Sequence, residues 1–486
     1  MPEPYPPLYA LLLGGWIRLL GDTEVVLRAF SVVAGLAALL AGWRWAHEAL
    51  GRWPGLLAMG LLAVSPLAVA NARDARMYSL ETAFATICWW LTWRLASGRA
   101  SGSRGVGRPV VSAVGLALAS AGELWTLSLG LPTAFLQFVV AAAAGLGATR
   151  LGGVRAGLIR RGALQAAGAI VAGGLLFLPW LPAALRSAAS GEPFWTPPPG
   201  SFDWAETWLT AVLGWRTDLP AWDLARGVIV LSALLGVGAL ARTPRPDARI
   251  LALAIAAGMA LTIIIWAVST VRSIYDTRYL GASLPPVVLA VTAGIRAIGR
   301  LPVRRASVVP RAAALGLAVT LLGLSTLGTI RWLDDWRAQT GLAPATELAT
   351  EIRGRARPND LLLTIDPRSY FPMVYALERI RQADGGQDLL LKTWDRGDEP
   401  FYRGLTLIDE DHVVRRLDVL QSGWRGALPE LRPGGRIWLV AAANAAREDL
   451  GFRPLEDAEL VEIDRIVVRR GTDAAQARLV ELARDP

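Results

Sequence analysis

A chain of 486 residues would ordinarily divide into about three soluble domains of ~100–200 residues each. Hydrophobic residues make up 53% of it and charged residues 19%, with a mean hydropathy of +0.38. Ordinary soluble domains are ~25% charged, so most of this chain lacks the charge to keep a water-facing surface. The apolar excess lies in long blocks before residue 332 and the charges concentrate after it. A polytopic membrane protein with a soluble tail fits; an ordinary cytosolic enzyme does not. The single cysteine, Cys88, forbids an intramolecular disulfide and any thiolate metal cluster. The two histidines, His47 and His412, stand too far apart in the chain to suggest a zinc site. Lys392 is the only lysine, so 49 of the 50 basic residues are arginine, as the codon usage of a GC-rich genome would give.

Crossing ~30 Å of hydrocarbon takes ~17–25 apolar residues at 1.5 Å per residue. Pro6 to Leu20 is apolar but short, with Trp16 and Arg18 on it, and reads as a helix lying in the interface. After it, the apolar runs predict ten spans: 25–46, 55–72, 77–96, 109–122, 124–148, 162–182, 226–241, 248–269, 280–299 and 311–331. The fourth and seventh are short. Their connections alternate in charge. One set holds 18 arginines, from Arg44 and Arg52 through Arg155, Arg160 and Arg161 to Arg311, against only Glu48 and Asp247. The other set is acidic or mixed: Asp22 and Glu24, Arg73 to Arg76, and Glu192 to Asp223. The positive-inside rule makes the first set cytoplasmic. Both termini then face outward, as an even number of crossings requires.

The outward loop over 183–225 is rich in Trp and Pro, including Trp195, Trp204, Trp208, Trp215 and Trp222. Tryptophan favours the membrane–water boundary, so interfacial helices or a lid over the outer leaflet are expected there, compatible with a platform for sugar or acceptor. The organisation expected is a membrane domain over 1–335 and an extracytoplasmic α/β domain over 336–486. In the latter, Asp360–Ile365, Arg436–Ala441 and Leu460–Val468 read as strands, with helices near Thr346–Arg355, Ser369–Glu378 and Ala474–Leu482. The turn Arg432-Pro433-Gly434-Gly435 punctuates a loop and is not a phosphate loop.

Two charged clusters sit in short outward loops. Arg73-Asp74-Ala75-Arg76-Met77-Tyr78 joins the second and third spans, and Arg272-Ser273-Ile274-Tyr275-Asp276-Thr277-Arg278-Tyr279 joins the eighth and ninth. Each sets Arg beside Tyr, with an Asp two residues before the arginine. An anion at the outer interface would be held by such a set, through guanidinium forks and tyrosine hydroxyls. A lipid phosphate is the obvious anion at that depth. The plainer reading is that Asp and Arg pair with one another and anchor the helix ends. Glu123, placed at the start of the fifth span, is a further polar candidate. A carboxylate favoured by the helix dipole would explain it as well.

The run Tyr5-Pro6-Pro7-Leu8-Tyr9, followed by Trp16-x-Arg18, Gly21, Glu24 and Arg28, resembles the His-Pro-Pro-Leu-Tyr segment of bacterial membrane glycosyltransferases. These are GT-C-fold enzymes of the protein-mannosyltransferase-like and aminoarabinose-transferase-like superfamily. Ser65-Pro66 with Arg73-Asp74-Ala75-Arg76-Met77-Tyr78-Ser79-Leu80 is similar to their "SP…(Q/R)(E/D)AR-x-Y-(A/S)-L" signature. Asp276-Thr277-Arg278-Tyr279-Leu280 with Pro285-Pro286 is similar to their late "RYL…P" segment. The resemblance covers about residues 5–300, and Tyr5 stands where the family has histidine.

The resemblance implies transfer of a sugar from a polyprenyl-phosphate-sugar donor to an acceptor (protein, lipid or glycan) at the outer face of the plasma membrane. It implies a lipid-phosphate-sugar-dependent hexosyl or pentosyl transferase. Arg76 and Arg278 would contact the donor phosphate, with Tyr78 and Tyr279 as donors or orienting groups. Asp276, Tyr5 and Glu123 would support them. Asp74 or Asp276 could hold an arginine in place or bind a divalent metal; no cofactor is otherwise indicated. The family's base is a carboxylate on an outward loop after an earlier span, so it is expected in a segment preceding Met1. Within the sequence, Asp74 is the candidate base. Two other readings fit the composition: a polytopic transporter or lipid flippase, and a catalytically inactive scaffold of envelope glycan assembly. Nucleic-acid binding does not fit, because the arginines lie at the ends of spans and not along one soluble face.

Overall fold

The computed structural model describes residues 6–100, 108–189, 198–214, 220–301, 308–339, 342–365, 367–384, 389–395, 410–431, 436–441, 460–470 and 473–482. The chain divides into two compact units at Trp332/Leu333. The first is helical: α1 Leu8–Leu20, α2 Glu24–Leu50, α3 Arg52–Ala63, α4 Pro66–Arg73, α5 Tyr78–Ala96, α6 Arg108–Thr126 and α7 Gly130–Ala148. There follow α8 Gly153–Phe177, α9 Leu181–Ala189, α10 Asp203–Leu213, α11 Pro220–Arg242, α12 Pro246–Ser269, a 3-10 segment Thr277–Ser283, α13 Leu284–Ile298 and α14 Val308–Gln339. Seven of these helical stretches are long and apolar enough to cross a membrane, or eight if the bent pair α3–α4 is one span. The chain is a multi-pass membrane protein. Each expected span falls on a helix, but α5 and α8 do not pass the length and hydropathy test. α8 begins earlier than expected, carrying Arg155, Arg160 and Arg161 in its first turns, and stops at Phe177, two residues before Pro179.

The second expected span is broken. Between α3 and α4 the axis bends by 53° at Val64-Ser65-Pro66. Pro66 cannot supply an amide to continue the ladder, and Ser65 instead caps α4, its Oγ accepting from the Ala68 amide at 3.2 Å. The carbonyl freed at Val64 accepts from Ser325 Oγ (3.0 Å) and Thr329 Oγ1 (2.6 Å) of α14. Neighbouring helices thus repair the backbone where water cannot reach it. Elsewhere small residues let helices approach closely. A Cβ on Gly294 of α13 would lie 1.8 Å from the Ser232 carbonyl oxygen of α11.

On the arginine-rich face the two acidic residues of that set each gather several partners. Glu48 takes Arg44 (3.0 Å) and Arg94 (3.6 Å), and the Trp90 indole donates to it at 3.2 Å. Asp247 takes Arg99 (2.6 Å), Arg245 (2.9 Å) and Arg155 (3.2 Å).

The second unit holds α15 Leu342–Arg355, α16 Pro367–Asp384 and α17 Arg416–Ala427 around a six-stranded sheet. The strands are β1 Leu361–Thr364, β2 Leu390–Asp395, β3 Val413–Arg415, β4 Arg436–Ala441, β5 Leu460–Arg470 and β6 Asp473–Leu482, in the order β3-β2-β1-β4-β6-β5. The first four run parallel; β6 pairs antiparallel with β4 and with β5. Two strands, β2 and β3, go beyond those expected. Ala474–Leu482, expected as a helix, is strand β6. Its Ala, Gln, Leu and Glu favour helix weakly, whereas pairing on both edges and burial of Ala475, Ala477, Leu479 and Val480 favour strand strongly. At one end of β4, buried Arg436 donates twice to Asp360 (2.9 and 2.6 Å), and Trp438 Nε1 donates to the same carboxylate at 3.1 Å.

Candidate active site

The break at Ser65-Pro66 turns α4 so that its C-terminal end meets the 3-10 segment. There the Asn71 side-chain amide donates to the Arg278 carbonyl at 3.4 Å, tying the two charged clusters together although 207 residues separate them. The rings of Tyr78 and Tyr279 lie 5.5 Å apart at 54°, both buried, in an apolar cluster with Met77 and Leu127 and with Tyr9 packed against it. The four residues expected to contact phosphate therefore converge. Asn71 carried no mark in the sequence beyond being polar in an apolar run.

The two arginines are held differently. Arg278 is gripped by Asp276, which accepts from its Nη2 (3.0 Å), its Nε (3.3 Å) and its backbone amide (2.9 Å). The last of these bonds also caps the 3-10 segment. Arg76 is looser: its Nη1 donates to the Tyr78 hydroxyl at 3.4 Å, and its Nε is 3.9 Å from Asp74 Oδ2. The Arg76 side chain is 55% exposed, so its guanidinium can turn toward an incoming anion. Its backbone is fixed by a turn from its own amide to the Asp74 carbonyl (2.8 Å) and by Ser31 Oγ on its carbonyl (3.4 Å).

Around this pair stand further groups, two of them tyrosines within the quoted motifs to which the sequence assigned no role of their own. Tyr9 of α1 lies near Asp74 and Arg76, and burial pushes its phenol up to about 12, so it stays a neutral hydroxyl. Tyr275 donates to the Asp203 carbonyl (2.9 Å) and shares a 2.5 Å hydrogen bond with Thr207 of α10. Burial raises its phenol too. The loop expected over 183–225 thus contributes α10 directly beneath the second cluster. Glu81, in the first turn of α5, is buried against the 3-10 segment. A Cβ on Gly281 would lie 3.3 Å from its Oε2 and 2.0 Å from Thr82 Oγ1. A carboxylate inside an apolar span is the signal that could have marked Glu81.

Glu123 is not where the sequence placed it. It does not open a span but lies in the last turn of α6, which runs on to Thr126, so a favourable dipole at a helix start cannot explain it. It is fully buried against Gly130, and neither carboxylate oxygen meets the geometry of a hydrogen bond among the described residues. Tyr5 lies outside the described residues. Among those described, no group of three or more His, Cys, Asp or Glu is arranged to hold a metal ion.

Residues 4–144 match the family model described as dolichyl-phosphate-mannose-protein mannosyltransferase. No curated protein sequence matches the chain. Among solved structures, ArnT from Cupriavidus metallidurans in the apo state superposes with a TM-score of 0.60 at 15% identity, over 97% of this chain and 87% of that one. The chain has the ArnT fold. ArnT bound to undecaprenyl phosphate gives a TM-score of 0.57 at 14% identity over the same shares. An oligosaccharyltransferase from Archaeoglobus fulgidus in complex with Zn and sulfate matches at 11% identity and a TM-score of 0.46, over 77% of this chain and 53% of that one. The resemblance to GT-C-fold membrane glycosyltransferases drawn from the motifs is borne out, and with it a helical membrane fold followed by a small sheet-containing region. The ArnT likeness extends through that last region, where the motifs had carried little.

Proposed function

We propose that this protein transfers a sugar from a polyprenyl-phosphate donor to an acceptor at the outer face of the plasma membrane, as a lipid-phosphate-sugar-dependent glycosyltransferase. The observation that carries the reading is the meeting of Arg76 and Tyr78 with Arg278 and Tyr279 across the Asn71 bridge. The ArnT fold supports it, since the same fold has been seen with undecaprenyl phosphate bound. The acceptor hydroxyl attacks the anomeric carbon as the bond to the lipid phosphate breaks, and negative charge grows on the leaving phosphate. Arg278, preset by Asp276, supplies a fixed fork for that charge, and mobile Arg76 closes from the other side. Guanidinium contacts of this kind are worth most where water is scarce. Tyr78 orients Arg76 through its hydroxyl. Asp74 is the candidate base within this sequence, its carboxylate 3.9 Å from Arg76 Nε. Tyr5, Asp276 and Glu123 remain supporting groups in the proposal. The unit that follows Trp332 is assigned to the extracytoplasmic side, corresponding to residues 336–486 of the expected organisation.

The test is transfer by Arg76→Ala and Arg278→Ala, measured with a polyprenyl-phosphate sugar in a chain that includes any preceding family segment. Losing one charge-assisted contact costs ~1.5–3 kcal/mol, roughly ten- to hundredfold in rate. Both variants should insert and accumulate yet transfer at that reduced rate, and lysine should restore only part of it, lacking the planar fork. Wild-type transfer by both alanine variants would overturn the assignment.

A further inference from the structure

On the arginine-rich face, Arg44 and Arg94 are engaged on Glu48, and Arg99, Arg155 and Arg245 on Asp247. Several other arginines of the same face have no carboxylate partner among the described residues, and two of these are neighbours on one helix. Arg160 and Arg161 of α8 form no ion pair or hydrogen bond among the described residues, and both are exposed. They line an open surface groove of about 420 Å³ with Gly157, Leu164 and Gln165. The spacing 157, 160, 161, 164, 165 follows i, i+3, i+4, i+7 and i+8, so all five residues share one stripe of the helix. Gly157 leaves that stripe open, because a Cβ there would touch nothing within 4 Å. Leu164, 66% exposed, sits one turn further along α8, in the direction of the apolar stretch from Ala166 to Phe177.

We propose that this groove on α8 binds the headgroup of an anionic phospholipid of the arginine-rich leaflet, with Arg160 and Arg161 on the phosphate and Leu164 against the start of an acyl chain. Arginines placed only to orient a helix need no groove, whereas here two cations without a carboxylate partner border an open surface groove that passes from polar to apolar within two turns. That gradient matches a lipid, which is anionic at the surface and hydrocarbon below. A free phosphate would use the two guanidinia and leave Leu164 without a role. Basic residues beside the apolar part of a membrane helix are a general means of attracting anionic headgroups. The inference is independent of the proposed transfer reaction, which lies among other residues.

The protein in nanodiscs carrying a photoactivatable phosphatidylglycerol would be irradiated, and labelled peptides mapped. The peptide spanning 157–165 should be labelled, and unlabelled phosphatidylglycerol should compete while phosphatidylcholine does not. Arg160→Gln/Arg161→Gln should lower that labelling, about fivefold for each arginine, while labelling of the other helices stays unchanged as the control for folding. Arg160→Lys/Arg161→Lys should keep most of it. Unchanged labelling in the glutamine variant, or equal competition by phosphatidylcholine, would overturn the proposal. Competition by millimolar inorganic phosphate as strong as that by phosphatidylglycerol would also overturn it, in favour of a soluble phosphate-bearing ligand.

Discussion

At the scale of single residues, the site depends on a fit that no composition reports. The 3-10 segment bearing Arg278 and Tyr279 rests on α5 through Gly281, where even one added carbon would lie 2.0 Å from Thr82 Oγ1. Thr82 cannot simply swing aside, since its hydroxyl donates to the Tyr78 carbonyl at 2.8 Å. Overpacking of this kind costs ~1–3 kcal/mol. Gly281→Ala should therefore push the segment away from α5 and raise the KM for a polyprenyl-phosphate donor more than it lowers the amount of folded protein. Thr82→Ala in the same chain removes the hydroxyl and should recover much of the affinity. If Gly281→Ala alone binds donor as the wild type does, the packing is not what positions Arg278. The arginines, tyrosines and Asp276 were legible because charge clustered with tyrosine in a short loop between apolar runs is rare. Gly281 and Asn71 were not, because what singles them out is a partner many residues away or a contact across two helices, whereas Glu81 carried a signal, a carboxylate inside an apolar run, that the motifs did not use.

At the scale of elements, the hydropathy pattern located each membrane helix but not its breaks. Pro66 stood inside an apolar run and still ended α3, because Ser325 and Thr329 of α14 accept the cost of the freed carbonyl. Gly122-Glu123 looked like a boundary and was not one; the chain turns at Leu127–Leu129. The Ala-rich β6 was read as a helix because local propensity said so, and pairing with β4 and β5 outweighed it. The charge pattern also holds structural information: the two acids among the 18 arginines are the hubs that bind α2 to α5 and α12 to α8. Asp247 is nearly buried, with three arginines on it that reach solvent to different degrees. Its loss leaves them facing one another without a counter-charge. Breaking a buried pair costs about 3–5 kcal/mol, and partial exposure of these arginines discounts that to roughly 1–3 kcal/mol. Asp247→Asn should thus lower the thermal midpoint of the detergent-solubilised protein. Asp247→Glu should restore most of it. An unchanged midpoint in the asparagine variant would remove Asp247 as a structural hub.

At the scale of the whole molecule, the proposed reaction requires that the Arg76–Arg278 site face away from the cytoplasm, where polyprenyl-phosphate donors present their sugar in the transfer proposed here. Electrostatics favours that orientation: connections carrying 18 arginines and two acids alternate with connections that are acidic or mixed. Orientation is decided by cysteine accessibility, for which the chain is well suited, because Cys88 is fully buried and contributes no background. Single cysteines at Arg155 and Arg242 should stay unlabelled by an impermeant maleimide in intact cells and become labelled after lysis. Those at Ser201 and Gln421 should be labelled in intact cells. Arg155 makes a sharp probe, since its side chain is 57% exposed and silence there reports the side of the membrane and not burial. Labelling at Arg155 together with silence at Ser201 would invert the orientation and place the arginine–tyrosine site on the cytoplasmic side. Labelling at Ser201 with silence at Gln421 until lysis would keep the site outward but give an odd number of crossings between them, leaving the sheet-containing unit inside. The alternation of charge predicts neither: it puts the Ser201 connection outward, and the four helices α11, α12, α13 and α14 between Ser201 and Gln421 make an even number of crossings.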